Sequence, residues 1–279
     1  MSARYPGLGR CDEPLYESFA EAGFRVTVEA WDEIGGDSRA DIHLIRTPWD
    51  VYQQDRTGQF REWLDKMSAA PLVFHNPPEK IAWNFHKKYL LEMRDAGLPV
   101  VPLELLPSIA AVERTVLKNN WLEFVVKPAI GGGAVRTHRL SPETFRSRYK
   151  LLEAEFDGRD IIVQPFMKEI ESAGELSVIF FKNRFSHAVR KTARKGDFRI
   201  QSTYGGTYVR VEPSAAAMKT ARAVIERFAK DLLYARVDGI ESGGQFPVTE
   251  LEIFEPDLYF NIAPDTARNL VNAVRELLP

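Results

Sequence analysis

Three acidic residues near the C-terminus, Asp238, Glu250 and Glu252, lie on two short segments of alternating character separated by Gly243-Gly244. Residues two apart on a strand share a face, so Arg236 and Asp238 point one way, and Glu250 and Glu252 do the same on the next segment. If the turn centres on Gly244, Asp238 stands opposite Glu250 and Arg236 opposite Glu252. Carboxylates facing each other across a sheet repel. The pattern predicts that the three converge with too little cation to neutralise them. An oxygen-seeking divalent ion such as Mg²⁺, which takes carboxylates together with phosphates, is the expected remedy. The same alternation also fits a solvated polar face, with Ala235, Val237, Leu251 and Ile253 turned to the core.

A second constellation is Lys127-Pro128-Ala129-Ile130-Gly131-Gly132-Gly133-Ala134. A lysine at a strand end followed by three glycines can turn backbone N–H groups around a phosphate while the ammonium adds charge. Neither GxxxxGK[ST] nor GxGxxG occurs, so this is not a Walker loop or a dinucleotide fingerprint; a flexible turn before Arg136 has the same composition. Arg190 and Lys191 are neighbours on one expected strand and must point to opposite faces, one cation toward a phosphate and the other toward a substrate carboxylate, unless both belong to an exposed basic edge. In Gln164-Pro165-Phe166-Met167 a proline ends an apolar strand and leaves backbone groups outside any ladder. Such groups could read an adenine edge, or the segment is a plain hinge. No GxSxG elbow or Cys–His arrangement suggests a covalent nucleophile.

The elements that must position these residues divide into three stretches. Residues 1–78 read as α/β: helices at 15–22 and 58–67 alternate with strands at 24–29, 42–45 and 72–75, which predicts a small parallel sheet. Asn76-Pro77-Pro78 can continue neither strand nor helix and marks a boundary. Residues 79–167 hold a helix over 82–96, stopped by Gly97-Leu98-Pro99, a strand over 100–105, a helix over 109–119 and strands over 124–126 and 161–165. Residues 168–279 are richer in β: strands at 176–182 and 185–192, a helix over 214–233 with Ala221, Val224, Ile225, Phe228 and Leu232 on one stripe, the acidic hairpin, and a closing helix over 266–278. The polar, glycine-bearing run over 197–207 suits a mobile lid.

The 279 residues, 44% hydrophobic and 27% charged, exclude a disordered, collagen-like or coiled-coil chain. Lys and Arg number 37 against 39 Asp and Glu, a net charge of −2, which argues against a dedicated nucleic-acid binder. The single cysteine, Cys11, can form no internal disulfide and no CxxC metal site, which suits a reducing cytoplasm. The first ten residues lack the apolar core of a secretory signal, and no apolar run approaches the ~18 residues of a membrane helix. Nucleic acid and membrane are therefore not expected partners.

Taken in chain order, the features resemble the ATP-grasp superfamily over nearly the whole chain. The pieces are Asn84-Phe85-His86-Lys87 with Leu90 and Leu91, Gly97-Leu98-Pro99-Val100-Val101-Pro102, Val125-Val126-Lys127-Pro128 with its glycines, Val163-Gln164-Pro165-Phe166, Ala235-Arg236-Val237-Asp238 and Glu250-Leu251-Glu252. The resemblance implies a mixed α/β and α+β chain, with the ATP-grasp fold preceded by a small N-terminal α/β domain, and ATP held between two α+β subdomains. By it, Lys87 and Lys127 would contact the α- and β-phosphates, Gly131, Gly132 and Gly133 would form the mobile loop over the phosphates, and the backbone of Gln164, Pro165, Phe166 and Met167 would bind adenine. Glu169 or Glu175 would meet the ribose and Lys191 a phosphate; Asp238, Glu250 and Glu252 would hold one or two Mg²⁺; Arg236 would stabilise an acyl-phosphate and its tetrahedral oxyanion, as in D-alanine ligases. Two positions depart from the family pattern: Glu252 replaces the usual asparagine, and His86 the aspartate that often precedes the first lysine.

The segments Arg46-Thr47-Pro48-Trp49-Asp50, Asn76-Pro77-Pro78-Glu79, Ser186-His187-Ala188-Val189-Arg190-Lys191 and Gly196-Asp197-Phe198-Arg199 resemble the glutathione-synthetase-like branch that includes the O-ureido-serine cyclo-ligase of D-cycloserine formation. The activity implied is an ATP- and Mg²⁺-dependent carboxylate–amine ligase acting on an amino-acid-like small molecule, between two molecules or within one, with Arg190, Arg199 and residues 204–207 as substrate contacts. A nucleotide-binding regulatory module and an ATP phosphotransferase are the alternatives, and a Rossmann oxidoreductase matches composition only. Small first domains of this type often pack against a partner, which leaves a homodimer open.

Overall fold

Apolar alternation in the second half of the chain is strong enough to build strands buried on both faces, and these organise the molecule. The computed structural model describes residues 11–53, 56–194 and 196–278. The N-terminal stretch holds α1 (Glu13–Glu21), α2 (Asp50–Gln53) and α3 (Thr57–Ala69). Then come α4 (Pro78–Asn84), α5 (Tyr89–Asp95), β1 (Glu104–Leu106), α6 (Val112–Lys118), β2 (Phe124–Pro128), β3 (His138–Leu140), α7 (Pro142–Glu155) and β4 (Ile161–Pro165). The remainder is α8 (Glu169–Ser172), β5 (Glu175–Phe181), β6 (Arg184–Thr192), β7 (Thr207–Val211), α9 (Ala215–Phe228), β8 (Tyr234–Gly239), β9 (Val248–Glu252) and α10 (Ala267–Arg275).

Both sheets are antiparallel. The first has the order β1-β4-β2-β3 and the second β7-β6-β5-β8-β9. Every residue of the central strand β5 is buried. Its alternate residues Leu176, Val178 and Phe180 pack with Ala217, Ala221, Val224 and Ile225 of α9. Ile179 and Phe181 face the other way, onto Leu270, Val271 and Val274 of α10 and onto Leu15 and Phe19 of α1. A separate core under the first sheet joins Phe124, Val126, Ile161 and Val163 to Phe145 and Leu152 of α7. Only those two residues of α7 are buried, so its apolar stripe is too thin to read from sequence; a capping box between Ser141 and Thr144, with Pro142 in the first turn, starts it.

The N-terminal stretch departs most from expectation. Residues 24–29 join no sheet: Val26 and Val28 are 43% and 49% exposed, so the alternation has no buried face to serve. The strands expected at 42–45 and 72–75 reduce to one parallel bridge, His43 to Phe74. Its core of Trp31, Phe60, Trp63 and Phe74 closes on Phe254, just beyond β9. The helix expected over 82–96 breaks into α4 and α5 at residues 85–88, where the Lys87 N–H donates to the Ala129 carbonyl (2.9 Å) instead of continuing the helix. The strand expected over 100–105 begins as a single bridge, Val100 to Val248, before β1. The helix expected over 214–233 stops at Phe228.

Beyond the Val100–Val248 bridge, the outer edge of β9 is covered by side chains. Asn84 donates to the Leu251 carbonyl (2.9 Å) and accepts from the Ile253 N–H (3.3 Å), and the Tyr89 hydroxyl accepts from the Leu251 N–H (3.2 Å). Asn76 donates to the carbonyls of Tyr234 (2.8 Å) and Ile253 (2.7 Å) and accepts from the Leu233 N–H (2.8 Å). The Asn76-Pro77-Pro78 break is thus fastened to the second sheet. Among the described residues no helix is long and apolar enough to cross a membrane.

Candidate active site

The β8–β9 hairpin has the register anticipated from its turn: Asp238 stands opposite Glu250 and Arg236 opposite Glu252. Gly243 and Gly244, both at positive φ, make the tight reversal between Ser242 and Gln245. The polar face of the hairpin lines a cleft of about 360 Å³ that runs between the two sheets and reaches Trp49 and Tyr52 of the N-terminal stretch. Lys87, Lys127, Gly131, Gly132, Gly133, Gln164, Phe166, Met167, Glu175, Lys191, Arg236, Asp238, Glu250 and Glu252 all line it.

The expected shortage of cations is not what the structure shows. Asp238, 2% exposed, accepts from Nε and Nη2 of Arg236 (2.9 and 2.8 Å), from the Lys191 ammonium (3.0 Å) and from the Ser177 hydroxyl (2.7 Å). These partners hold its carboxyl well below the usual carboxylate range, with burial opposing them. Arg236 Nη2 also reaches Glu252, and Lys87 pairs with Glu250 (2.9 Å). Lys191 bridges Asp238 to Glu175 (2.6 Å). Three cations therefore stand between the acids, and among the described residues no group of three acidic, histidine or cysteine side chains forms a ready-made metal cage.

Acidic groups nonetheless outnumber cations on the open side. Burial, with Glu250 and Asp238 adding to it, pushes the Glu252 carboxyl up to about 8 despite Arg236. Burial and the neighbouring Glu252 push Glu255 up as well. Glu250 and Glu252 each use one oxygen in an ion pair, and the other accepts no hydrogen bond among the described residues. This donor set fits Mg²⁺, which takes one or two carboxylates and completes its shell with waters and phosphate oxygens.

At the other wall, the Lys87 ammonium donates to the Gly131 carbonyl as well as pairing with Glu250, so it grips the base of the glycine loop. Lys127 is different. Its ammonium has no ion pair among the described residues; burial pulls its pKa down, with Lys87 adding to it and the charges of Glu250 and Glu175 opposing. A sheltered cation facing a glycine loop is an anion site. At the hinge, Gln164, Phe166 and Met167 line the cleft and Pro165 does not. The backbone there is less free than expected: the Phe166 N–H donates to the Glu123 carbonyl (2.9 Å), and the Met167 carbonyl accepts from Ile170 (3.1 Å). The Met167 N–H goes to no other backbone carbonyl among the described residues. The Phe166 ring lies under the Arg139 guanidinium (3.6 Å) and meets Phe198 edge-on (6.0 Å).

Two expected site residues lie elsewhere. Arg190 does point away from Lys191, but it donates to the Ala173 carbonyl (2.9 Å) and pairs with Glu241 (2.5 Å), so it braces the outside of β6 and does not line the cleft. Of the two glutamates left open for the ribose, Glu169 accepts from the Ser242 hydroxyl (2.6 Å) outside the cleft, whereas Glu175 lines it. Arg199 lines the cleft from the 197–207 run, held by Asp197 (2.7 Å) and lying over the Tyr204 ring (3.8 Å); the guanidinium keeps the Asp197 carboxyl down at about 2.

Several lining residues escaped the sequence reading. Glu255, Asp257 and Tyr259 follow β9 directly, and a proline between two acids just after the acidic strand was the available signal. Trp49 and Tyr52 reach the cleft because the segment before α3 is clamped to the far sheet. Arg46 pairs with Asp12 (2.9 Å) and donates to the Pro256 carbonyl (2.8 Å), Trp49 Nε1 donates to the Glu255 carbonyl (3.2 Å), and the Tyr234 hydroxyl donates to the Ile45 carbonyl (2.6 Å).

With this geometry in view, the chain has clear relatives. The family model for the N-terminal domain of D-cycloserine synthetase DcsG matches residues 1–76. The cycloserine biosynthesis protein DcsG of Streptomyces lavendulae is 26% identical over 286 positions, covering 95% of this chain and 93% of that protein. The crystal structure of D-cycloserine synthetase DcsG superposes with a TM-score of 0.82 at 24% identity, covering 95% of this chain and 94% of that one. The ATP-grasp ligase PsnB, complexed with a minimal precursor, gives 0.66 at 18% identity with 96% of both chains covered. D-alanine–D-alanine ligase from Bacillus anthracis gives 0.68 at 15% identity, covering 95% and 90%.

Proposed function

The chain is an ATP-grasp protein by fold, and on that premise we propose that it is an ATP- and Mg²⁺-dependent ligase joining a carboxylate to a nitrogen nucleophile on an amino-acid-like small molecule. The observation that carries this reading is one cleft lined by three parts: Lys127, without an ion pair among the described residues, beside the glycine loop; the open oxygens of Glu250 and Glu252; and Arg236, paired with Glu252. The likeness to a cycloserine-forming synthetase favours ring closure within one substrate over the joining of two.

Each part has a task. The Met167 N–H and the Phe166 ring suit the adenine, and Glu175, which lines the cleft bound to Lys191 and Thr249, is the glutamate left to meet the ribose. Lys127, with the N–H groups of the glycine loop, would hold the phosphates and orient the γ-phosphorus toward the far wall. Glu250 and Glu252, with Asp238 ordering Arg236 beside them, would hold Mg²⁺, whose charge would offset that of the phosphates. A substrate carboxylate oxygen then attacks the γ-phosphorus and ADP leaves, giving an acyl-phosphate; the nitrogen attacks its carbonyl carbon, loses a proton, and inorganic phosphate departs. Arg236 has five N–H donors. Four are engaged, by Asp238 twice, by Glu252 and by the Asp257 carbonyl (3.0 Å). One N–H on Nη1 remains for the oxygen on which charge develops.

The test is ADP release with Mg²⁺-ATP across amino acids, O-substituted serine analogues and dipeptides, singly and in pairs, with the organic product identified. Release with one compound and a cyclised product is the expected result. ADP with a stable phosphorylated product would make the protein a phosphotransferase, and tight ATP binding without turnover across the panel would favour a regulatory module. Asp238→Asn should reduce turnover roughly a hundredfold or more, since it removes the charge on which Arg236 and Lys191 are ordered; full activity in that variant sinks the site assignment.

A further inference from the structure

The glycine loop does not hang free over the cleft. A Cβ built on Gly132 would lie 2.9 Å from both Cδ2 and Cε2 of Tyr52, and 3.3 Å from Oε1 of Glu255. Real Cβ atoms essentially never approach ring carbons so closely, so the loop backbone rests against the Cδ2–Cε2 side of this tyrosine ring with room for hydrogen only. Tyr52 is itself held. It is 9% exposed, its ring stacks on Phe85 (5.8 Å, 19° between planes) and meets Phe254 edge-on (6.3 Å), and its hydroxyl bonds the Glu255 carboxyl. The short helix that carries it is pinned by Asp50, fully buried, which accepts from the Trp31 indole (3.2 Å) and from Arg56 (2.6 Å). Trp49 fixes the same segment to the Glu255 carbonyl.

We infer that Tyr52 is a positioning residue whose ring is the seat on which the phosphate loop closes, so that the N-terminal stretch sets the height of Gly132 above the acidic strand. The inference rests on the reading of the glycine loop as a phosphate loop. Lys87 gives the loop its second anchor, through Gly131, from the opposite side. A loop held at two points has little freedom left at Gly132, and its N–H groups are preorganised for an anion rather than ordered by it. The ring matters through its surface, and the hydroxyl only through its hold on Glu255. This separates the seat from a general packing role: the cost of bulk at Gly132 must depend on what occupies position 52.

A double-mutant cycle between the two positions tests this, with Mg²⁺-ATP affinity measured by calorimetric titration, KM for ATP against kcat, and circular dichroism to confirm folding. Tyr52→Phe should bind ATP within about twofold of the parent, because the ring remains. Gly132→Ala in the parent should weaken ATP binding on the order of tenfold, since the added methyl meets a wedged ring. Tyr52→Ala, or Tyr52→Leu should the alanine variant fail to fold, should weaken binding by a similar factor, with the loss in KM for ATP rather than in kcat. Combined with either, Gly132→Ala should then cost nothing further. An equal Gly132→Ala penalty with and without the ring overturns the seat and leaves the phosphate loop standing. A parent protein that binds no Mg²⁺-ATP overturns both.

Discussion

Lys127 is the residue whose environment is hardest to explain without a ligand. Among the described residues its ammonium makes no ion pair, and the more distant Glu250 and Glu175 offset its burial only in part, so removing the charge relieves a net cost. Lys127→Met is therefore expected to leave the melting temperature unchanged or to raise it, while weakening Mg²⁺-ATP binding roughly tenfold or more. Thermal denaturation and ATP titration on the same preparation decide it; a fall in melting temperature without loss of affinity would make Lys127 structural. At this scale the sequence was most legible where a periodicity applied. The period of two and one turn were enough to set Asp238 against Glu250 and Arg236 against Glu252. It failed for Arg190 and Glu169, whose partners Glu241 and Ser242 lie more than fifty residues away in sequence, and for the supposed cation shortage, because Lys87 and Lys191 reach the hairpin from other elements.

Elements that carry a regular stripe, such as α9, or that are buried throughout, such as β5, were legible in the sequence. Those held by side-chain hydrogen bonds were not. The break at Asn76 reads as a linker, yet its buried amide satisfies three backbone groups of the second sheet. Asn76→Ala leaves those groups unpaired, and with a net contribution near 1 kcal/mol per bond the expected loss is about 3 kcal/mol in urea unfolding. A loss below about 1 kcal/mol would mean that water replaces the amide. In β6, His187 is buried on the α10 side of the sheet. The Leu258 carbonyl can only accept, so Nε2–H donates to it (2.9 Å) and Nδ1 accepts from Ser186 (2.9 Å), which fixes a neutral ring. Burial, with Arg210 adding to it, lowers its pKa to about 4. The unfolded chain then binds the proton more readily, so this contribution is present above about pH 6.5 and is lost as pH falls toward about 4, on the order of 3 kcal/mol in all. Urea unfolding of the parent at pH 7 and pH 4.5 should show the loss, and His187→Gln should flatten it; identical pH slopes in the two proteins would contradict the assignment.

For the whole molecule, the question is whether the N-terminal stretch is a separable unit. A proline pair at residue 77 and the run of alternating helix and strand suggest one. The packing points the other way. Leu15 and Phe19 bury against α10, and Trp31, Phe60 and Trp63 close on Phe254 beyond β9. The ion pair of Arg46 with Asp12 is capped by the Pro256 carbonyl, and two of the four cores among the described residues draw residues from both ends of the chain. Neither side has enough apolar surface of its own to close these clusters, so both should be lost together. Calorimetry should accordingly show one cooperative transition, moved upward as a whole by Mg²⁺-ATP, because a ligand bound only to the native state stabilises everything coupled to its site. Phe254→Ala is the sharper probe. It deletes a fully packed ring shared by both sides, at a cost of about 3–5 kcal/mol. In a coupled molecule the single transition moves to lower temperature and stays single. In a molecule of independent parts it splits, with the hairpin sheet melting near its original temperature and the N-terminal stretch released first; two resolved peaks would establish that separate unit and remove the structural basis for a seat contributed across it.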